Sequence, residues 1–287
     1  MIRLDAATVM LQWAVGGLAF CWITTRHREV GLGYGWLLRA TYALIALAGV
    51  AAGLRYRPVA VRDAAGAAVA VAALAALAVS VVRRRAGVSG RLVEHDRRSA
   101  RVAEMTGIDR AVDDDVPADG SAREFPPLLD LAAPLLGIVG LVAAALDAGG
   151  NSAVALVRTL AGAAFLGAVT DAMLLGHWYL VQPGLPRRHL NDLVRWVGWI
   201  WPVEVVGLLL PTGMLSVLSG TVDDGWGGQL GWFWALCAVT TIVLVVVTRA
   251  ALRERYYSAV MAATGLLYLA ILTAFGTDLV ARAVLDT

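Results

Sequence analysis

Lysine is absent from this chain, and all 24 basic side chains are arginine. Alanine, valine, leucine and glycine dominate the apolar stretches, so the arginines read as the coding bias of a GC-rich bacterium rather than as a need for guanidinium at every position. Cysteine is nearly absent too. Cys21 and Cys237 have no His or Cys at ligand spacing, which predicts two buried, unpaired thiols and neither a disulfide nor a zinc site. The four histidines, His27, His95, His177 and His189, exclude the usual stacked pair of haems by count. No Cys-x-x-Cys-His attachment site exists either, so one b-type haem between His27 and His177 is the most that the set could hold. No catalytic, metal or nucleotide signature of high specificity occurs, and nothing points to nucleic acid. Whether the chain is an enzyme stays open at this level. The first four apolar stretches do not align by motif with the last four, so internal symmetry gives no support to an inverted-repeat transporter.

Charge of either sign is scarce, at 16% of residues against 59% hydrophobic, and mean hydropathy is +0.70. The apolar residues gather into eight stretches, near 8–24, 34–53, 60–82, 128–147, 153–180, 196–217, 230–248 and 257–280. Each can cross a hydrocarbon core about 30 Å thick at about 1.5 Å per residue. The expected fold is an all-α transmembrane bundle with three spans in residues 1–82, a loop at 83–125 and five spans in 126–287. The first stretch reads as a span, since it lacks a small-residue cleavage site. The long loop opens on Arg83, Arg84 and Arg85, predicts a short helix to about Thr106, and ends in an acidic linker holding Asp113, Asp114 and Asp115. The spacing from that triplet to Asp119 does not match a metal-diphosphate motif, so a solvated linker is expected.

With eight spans, the ends of the chain and the connections after spans 2, 4 and 6 share one side, which carries five arginines, against seventeen on the other. Arginine excess marks the cytoplasmic face, which predicts both termini outside and a bacterial cytoplasmic membrane as the location. Arg39 and Arg158 fall inside spans, close enough to their ends for both heads to snorkel. Tryptophans gather near the ends of spans 5, 6 and 7, as in an interfacial belt.

Ionisable groups deep in a bilayer are costly and point to function. Asp171 lies six residues before His177, about 9 Å deep, and Glu204 nine residues past Arg195, about 13 Å deep. Spans 5 and 6 should pack antiparallel, which predicts that the two carboxylates share one polar cavity and form a proton or ion route, at least one of them protonated because burial disfavours charge. Thr159, Ala163, Gly167 and Asp171 form a small-residue row that places Asp171 on a helix contact. Pro202 and Pro211 are expected to kink span 6 on either side of Glu204, with Gly198 and Gly207 four residues behind them. At the inner end of this hairpin, His177, Trp178, Tyr179, Gln182 and Arg195 are the candidate ligand-binding residues. An imidazole, an indole, a phenol, a carboxamide and a guanidinium would suit a polar head group or a quinone ring.

Eight spans, outside termini and length are similar in outline to haem-free membrane-anchor subunits that pass electrons and protons between quinone and a redox partner. That similarity implies a quinone-associated subunit with a protein partner at the cytoplasmic face. The alternatives are a proton- or ion-coupled transporter of small solutes and a lipid-processing enzyme or assembly factor at the cytoplasmic leaflet. They differ in one structural respect. A transporter leaves a solvent path toward Asp171 or Glu204, whereas a quinone subunit opens sideways to lipid near His177.

Overall fold

The computed structural model describes residues 5–88, 123–182, 185–210, 213–254 and 256–285. Within them the chain is all-helical: α1 (Ala6–Thr25), α2 (Leu32–Tyr56), α3 (Ala60–Val82), α4 (Ala132–Asp147), α5 (Ser152–Val181), α6 (Arg188–Leu209), α7 (Met214–Leu218), α8 (Gln229–Ala251) and α9 (Tyr257–Leu285). A 3₁₀ turn, Pro127–Leu131, leads into α4, and Arg84–Ala86 forms another after α3. Seven helices are long and apolar enough to cross a membrane: α1, α2, α3, α4 with its leading turn, α5, α8 and α9. The protein is therefore a multi-pass membrane protein in contact with lipid. The faces turned away from the bundle carry Leu44, Val71, Leu135, Val139, Leu236, Val243 and Leu272, as expected where the solvent is hydrocarbon.

The exception is the sixth stretch. Its helix begins at Arg188, eight residues before the apolar run, and carries Arg188, Asp192, Arg195 and Glu204. It also stops at Leu209, and Pro211, expected to kink it, lies outside the described residues. The residue before a proline is driven out of the α region, and Leu210 has φ −117° and ψ 155°. Pro202 stays inside the helix as expected. The predicted cytoplasmic helix to Thr106 and the acidic linker lie outside the described residues.

Caps fix the helix starts. Asp5 accepts from the Ala7 N–H at 3.2 Å, and Asn151 accepts from Ala153 and Val154 at 3.0 and 3.2 Å. In the Gly220–Gly228 loop, Asp224 accepts from the N–H groups of Gly228, Trp226 and Leu230, the last within the first turn of α8. The bond from Gly228, followed by those from Trp226 and Leu230, holds its carboxyl below the usual carboxylate range.

Helices α1 and α5 form the centre of the bundle, with α2, α3 and α4 packed to one side and α6, α8 and α9 to the other. The small-residue row of α5 makes this possible. A methyl group at Gly16 would fall inside the contact distance of the Ala163 carbonyl, and one at Gly167 would strike the Gly16 backbone. Gly17 is equally constrained, because the Tyr42 ring lies where its side chain would be.

Two arginines correct the snorkelling expectation. Arg39 is buried, and its guanidinium holds Asp130 through two bonds of 2.7 Å, one from Nε and one from Nη2, with the Phe125 ring 4.3 Å beneath it. Arg158 is buried as well. It donates from Nε to the Gly207 carbonyl at 2.7 Å and from Nη2 to that of Leu210 at 3.0 Å. Gly207 is the residue whose helical partner would be Pro211, which has no N–H. The arginine caps the broken end of α6, and that end stands beside the start of α5.

Candidate functional site

Two clusters of buried polar groups occupy the bundle, and they hold the two predicted carboxylates separately. Asp171 is fully buried on α5. Its Oδ1 accepts from the Tyr42 hydroxyl, which reaches it across the space left by Gly17, and its backbone carbonyl lies 3.5 Å from the Tyr34 hydroxyl. Oδ2 has no hydrogen-bond partner among the described residues. The helix contact predicted for Asp171 is therefore present, made with α2 across α1.

Glu204 belongs to the other cluster. It is 1% exposed on α6 and lies in electrostatic reach of Asp278 and Arg282 on α9 and of Arg158 on α5. Arg158 is thirteen residues from Asp171 along α5, which places the two clusters about 20 Å apart along that helix. The shared cavity is not formed. The depth estimate counted from Arg195, but α6 starts at Arg188, and Glu204 stands five residues before its far end.

This second cluster is dense. Asp278 accepts from the Arg282 Nε at 2.8 Å through Oδ2, with both side chains almost completely buried, as their four-residue spacing predicts. Gln12 of α1 donates to the Thr159 carbonyl at 2.7 Å. Gly162 makes the meeting possible: a methyl there would stand 2.8 Å from Gln12 Nε2, 3.0 Å from Asp278 Oδ1 and 3.4 Å from Arg282 Nη2. Among the described residues, Gln12 Oε1, both Glu204 oxygens, Asp278 Oδ1 and Arg282 Nη2 are buried without a hydrogen-bond partner. Such atoms cost about 1–3 kcal/mol each, and charged ones more, so their concentration in one place marks a site held for something other than stability. A narrow cleft at the arginine-poor end reaches the cluster, lined by Asp5, Thr8, Arg57, Asp147, Arg158, Thr159 and Arg282.

The residues predicted to bind a ligand are spread over three places. His177 is exposed on the outside of α5, with its Nδ1 3.4 Å from the Tyr268 hydroxyl. Trp178 and Gln182 hold the connection between α1 and α2: Gln182 Oε1 accepts from the Gly31 N–H at 2.8 Å and from Trp178 Nε1 at 3.2 Å, while its Nε2 donates to the Glu29 carbonyl at 3.0 Å. Tyr179 is buried and donates to the Pro186 carbonyl at 2.6 Å. Arg195 lines a separate cleft of about 190 Å³ with His27 and His189. His27 and His177 thus have different neighbours, His189 and Tyr268.

Sequence reasoning passed over Gln12, gave Arg158 only a snorkelling role, and saw Asp278 and Arg282 only as a pair on one helix face. A usable signal existed for Arg158, which is six residues inside α5, about 9 Å, the depth that drew attention to Asp171. Gln12 gives a weaker one, as the sole carboxamide in an otherwise apolar helix. Compared with family models, with curated proteins and with solved structures, the chain matches none of them.

Proposed function

We propose that this protein crosses a bacterial cytoplasmic membrane eight times, with both termini outside, and moves protons or small ions coupled to a small solute. The cluster of Glu204, Asp278, Arg282, Arg158 and Gln12 is its coupling site. One observation carries this reading: two carboxyl and two guanidinium groups are buried together between three helices, several of their polar atoms lack partners, and a cleft at the arginine-poor end reaches two of the arginines. A cleft that leads to Arg158 and Arg282, both in electrostatic reach of Glu204, is the feature that favours a transporter. The lateral opening that a quinone would need at His177 receives no comparable support, because Tyr179 and Gln182 are bound to backbone and Trp178 to Gln182. Asp171, with Tyr42 as donor, is the second carboxyl of the route, one cluster further in.

The test is proton movement into vesicles carrying the full chain and a trapped pH-sensitive dye. Glu204→Gln keeps the shape and hydrogen-bonding capacity of the side chain but cannot exchange a proton. It should lower flux by more than about tenfold, as expected when an essential proton carrier is removed, and leave thermal stability within about 1 kcal/mol. Flux equal to the parent's would overturn the coupling role.

A further inference from the structure

The widest cleft described lies at the opposite, arginine-rich end and is not used by the reading above. It measures about 190 Å³ and is lined by Ile23, Thr24, Arg26 and His27 from the end of α1 and by His189, Asp192, Arg195, Trp196 and Trp199 from the first turns of α6.

Its polar groups are arranged as donors. Arg26 donates from Nε to His27 Nε2 at 3.1 Å, which turns the other ring nitrogen, Nδ1, away from that contact. His189 Nε2 lies 2.6 Å from Glu29 Oε2, and since a carboxylate can only accept, the ring donates that proton and keeps a fixed orientation. The same Glu29 also pairs with Arg188, so it is not free to neutralise the cleft. The imidazoles of His27 and His189 stand 5.9 Å apart, one from each helix. Asp192 is the one acid lining the cleft, and it meets Arg195 only at 3.5 Å with both side chains about half exposed. Two guanidinium groups and the His27 imidazole therefore face a single carboxylate, while His189 is held by Glu29.

The wall is as informative as the floor. Trp196 and Trp199 meet edge to face at 5.7 Å and are 40% and 59% exposed on the outer surface of the bundle. Indoles so placed mark the depth at which a bilayer changes from head groups to chains.

We infer that this cleft binds a phosphate group, with Arg26 from the end of α1 and Arg195 from α6 supplying charge-assisted hydrogen bonds, His27 adding a contact beside Arg26, and the two tryptophans bordering an apolar tail. A tetrahedral anion with several acceptor oxygens suits donors converging from two elements better than a flat carboxylate does. The phosphate comes either from an anionic lipid or from a soluble phosphate compound.

Full-length protein in neutral detergent separates these sources. Native mass spectrometry would follow a short-chain phosphatidylglycerol in one arm and inorganic phosphate in the other, with phosphatidylcholine as the zwitterionic comparison. Lipid retained over phosphatidylcholine assigns the site to a lipid head group, and inorganic phosphate retained in its own arm assigns it to a soluble compound. Arg26→Gln with Arg195→Gln should weaken the retained species by at least about tenfold, the loss expected for two interfacial charges. Both side chains are exposed, so folding is preserved. Arg249→Gln with Arg253→Gln removes the same charge from exposed positions at the same end, outside the cleft, and should have little effect. Equal weakening by both double variants, or no retention in either arm, would overturn the inference.

Discussion

At the residue scale, this protein buries some charges with fitted partners and leaves others, at the Glu204 cluster, only partly satisfied. Arg39 and Asp130 are the clearest pair, joined through two bonds, with Thr25 donating to Asp130 at 3.1 Å and Phe125 under the guanidinium. Taking two ions out of water costs about as much as their mutual attraction returns, so the pair adds little net stability. Breaking it is another matter. Arg39→Met leaves the buried Asp130 carboxyl with only Thr25 as a partner among the described residues, and should cost about 3–5 kcal/mol in detergent unfolding. Replacing both at once, as Arg39→Met with Asp130→Leu, should recover much of that loss. If the double variant proves as unstable as the sum of the two singles, the pair is not a coupled unit.

The same scale explains what the sequence hid. Periodicity and hydropathy place a residue on a helix, and they placed Asp171 correctly on a buried small-residue ridge. They cannot say which residue of another helix stands opposite. Arg158 was legible as a charge within a span, but its partners are carbonyls that α6 loses because Pro211 follows, a fact that depends on where two helices meet. Asp278 and Arg282 were legible as a pair on one face, and their link to Glu204, 74 positions earlier than Asp278, was not.

At the scale of elements, close packing of α1 on α5 does the work that hydrophobic burial does in water. Lipid tails are as apolar as leucine, so association rests on contact quality, and glycine lets two backbones approach. Three glycines meet there, Gly16, Gly17 and Gly167, and their neighbours are backbone or the Tyr42 ring. Gly16→Ala puts a methyl against the Ala163 carbonyl, which cannot swing aside. It should destabilise by about 1–3 kcal/mol, the usual cost of overpacking. Gly265 on α9 offers the control, since nothing stands within 4 Å of a methyl added there. Gly265→Ala should be neutral or stabilising by up to about 1 kcal/mol through helix propensity. A thermal shift assay on the two variants in one detergent reads the difference, and similar melting of both would remove the tight α1–α5 contact as a source of stability.

Over the whole molecule, the number of crossings turns on α6, the one long helix too charged to qualify by hydropathy. Geometry supplies what composition withholds. At one end Arg187, just before α6, donates to the carbonyl of Glu254 and, at 2.8 Å, to that of Tyr256, which connect α8 to α9. At the other end Arg158 of α5 holds the last carbonyls of α6. A helix whose start touches the α8–α9 connection and whose end touches the start of α5 runs the full height of the bundle, and 22 residues at about 1.5 Å each suffice for about 33 Å. The arginine count agrees, since with α8 crossing, as its length and hydropathy allow, Arg187, Arg188 and Arg195 share a side with Arg249 and Arg253 only if α6 crosses too. A reporter active only in the cytoplasm should therefore be on when fused after residue 110 or after residue 254, and off when fused after residue 226 or at residue 287. The fusion after 226 is the decisive one. Activity there, with the fusion after 110 also active, would mean that α6 turns back within the membrane and that the cleft ending on Arg158 and Arg282 does not open outside.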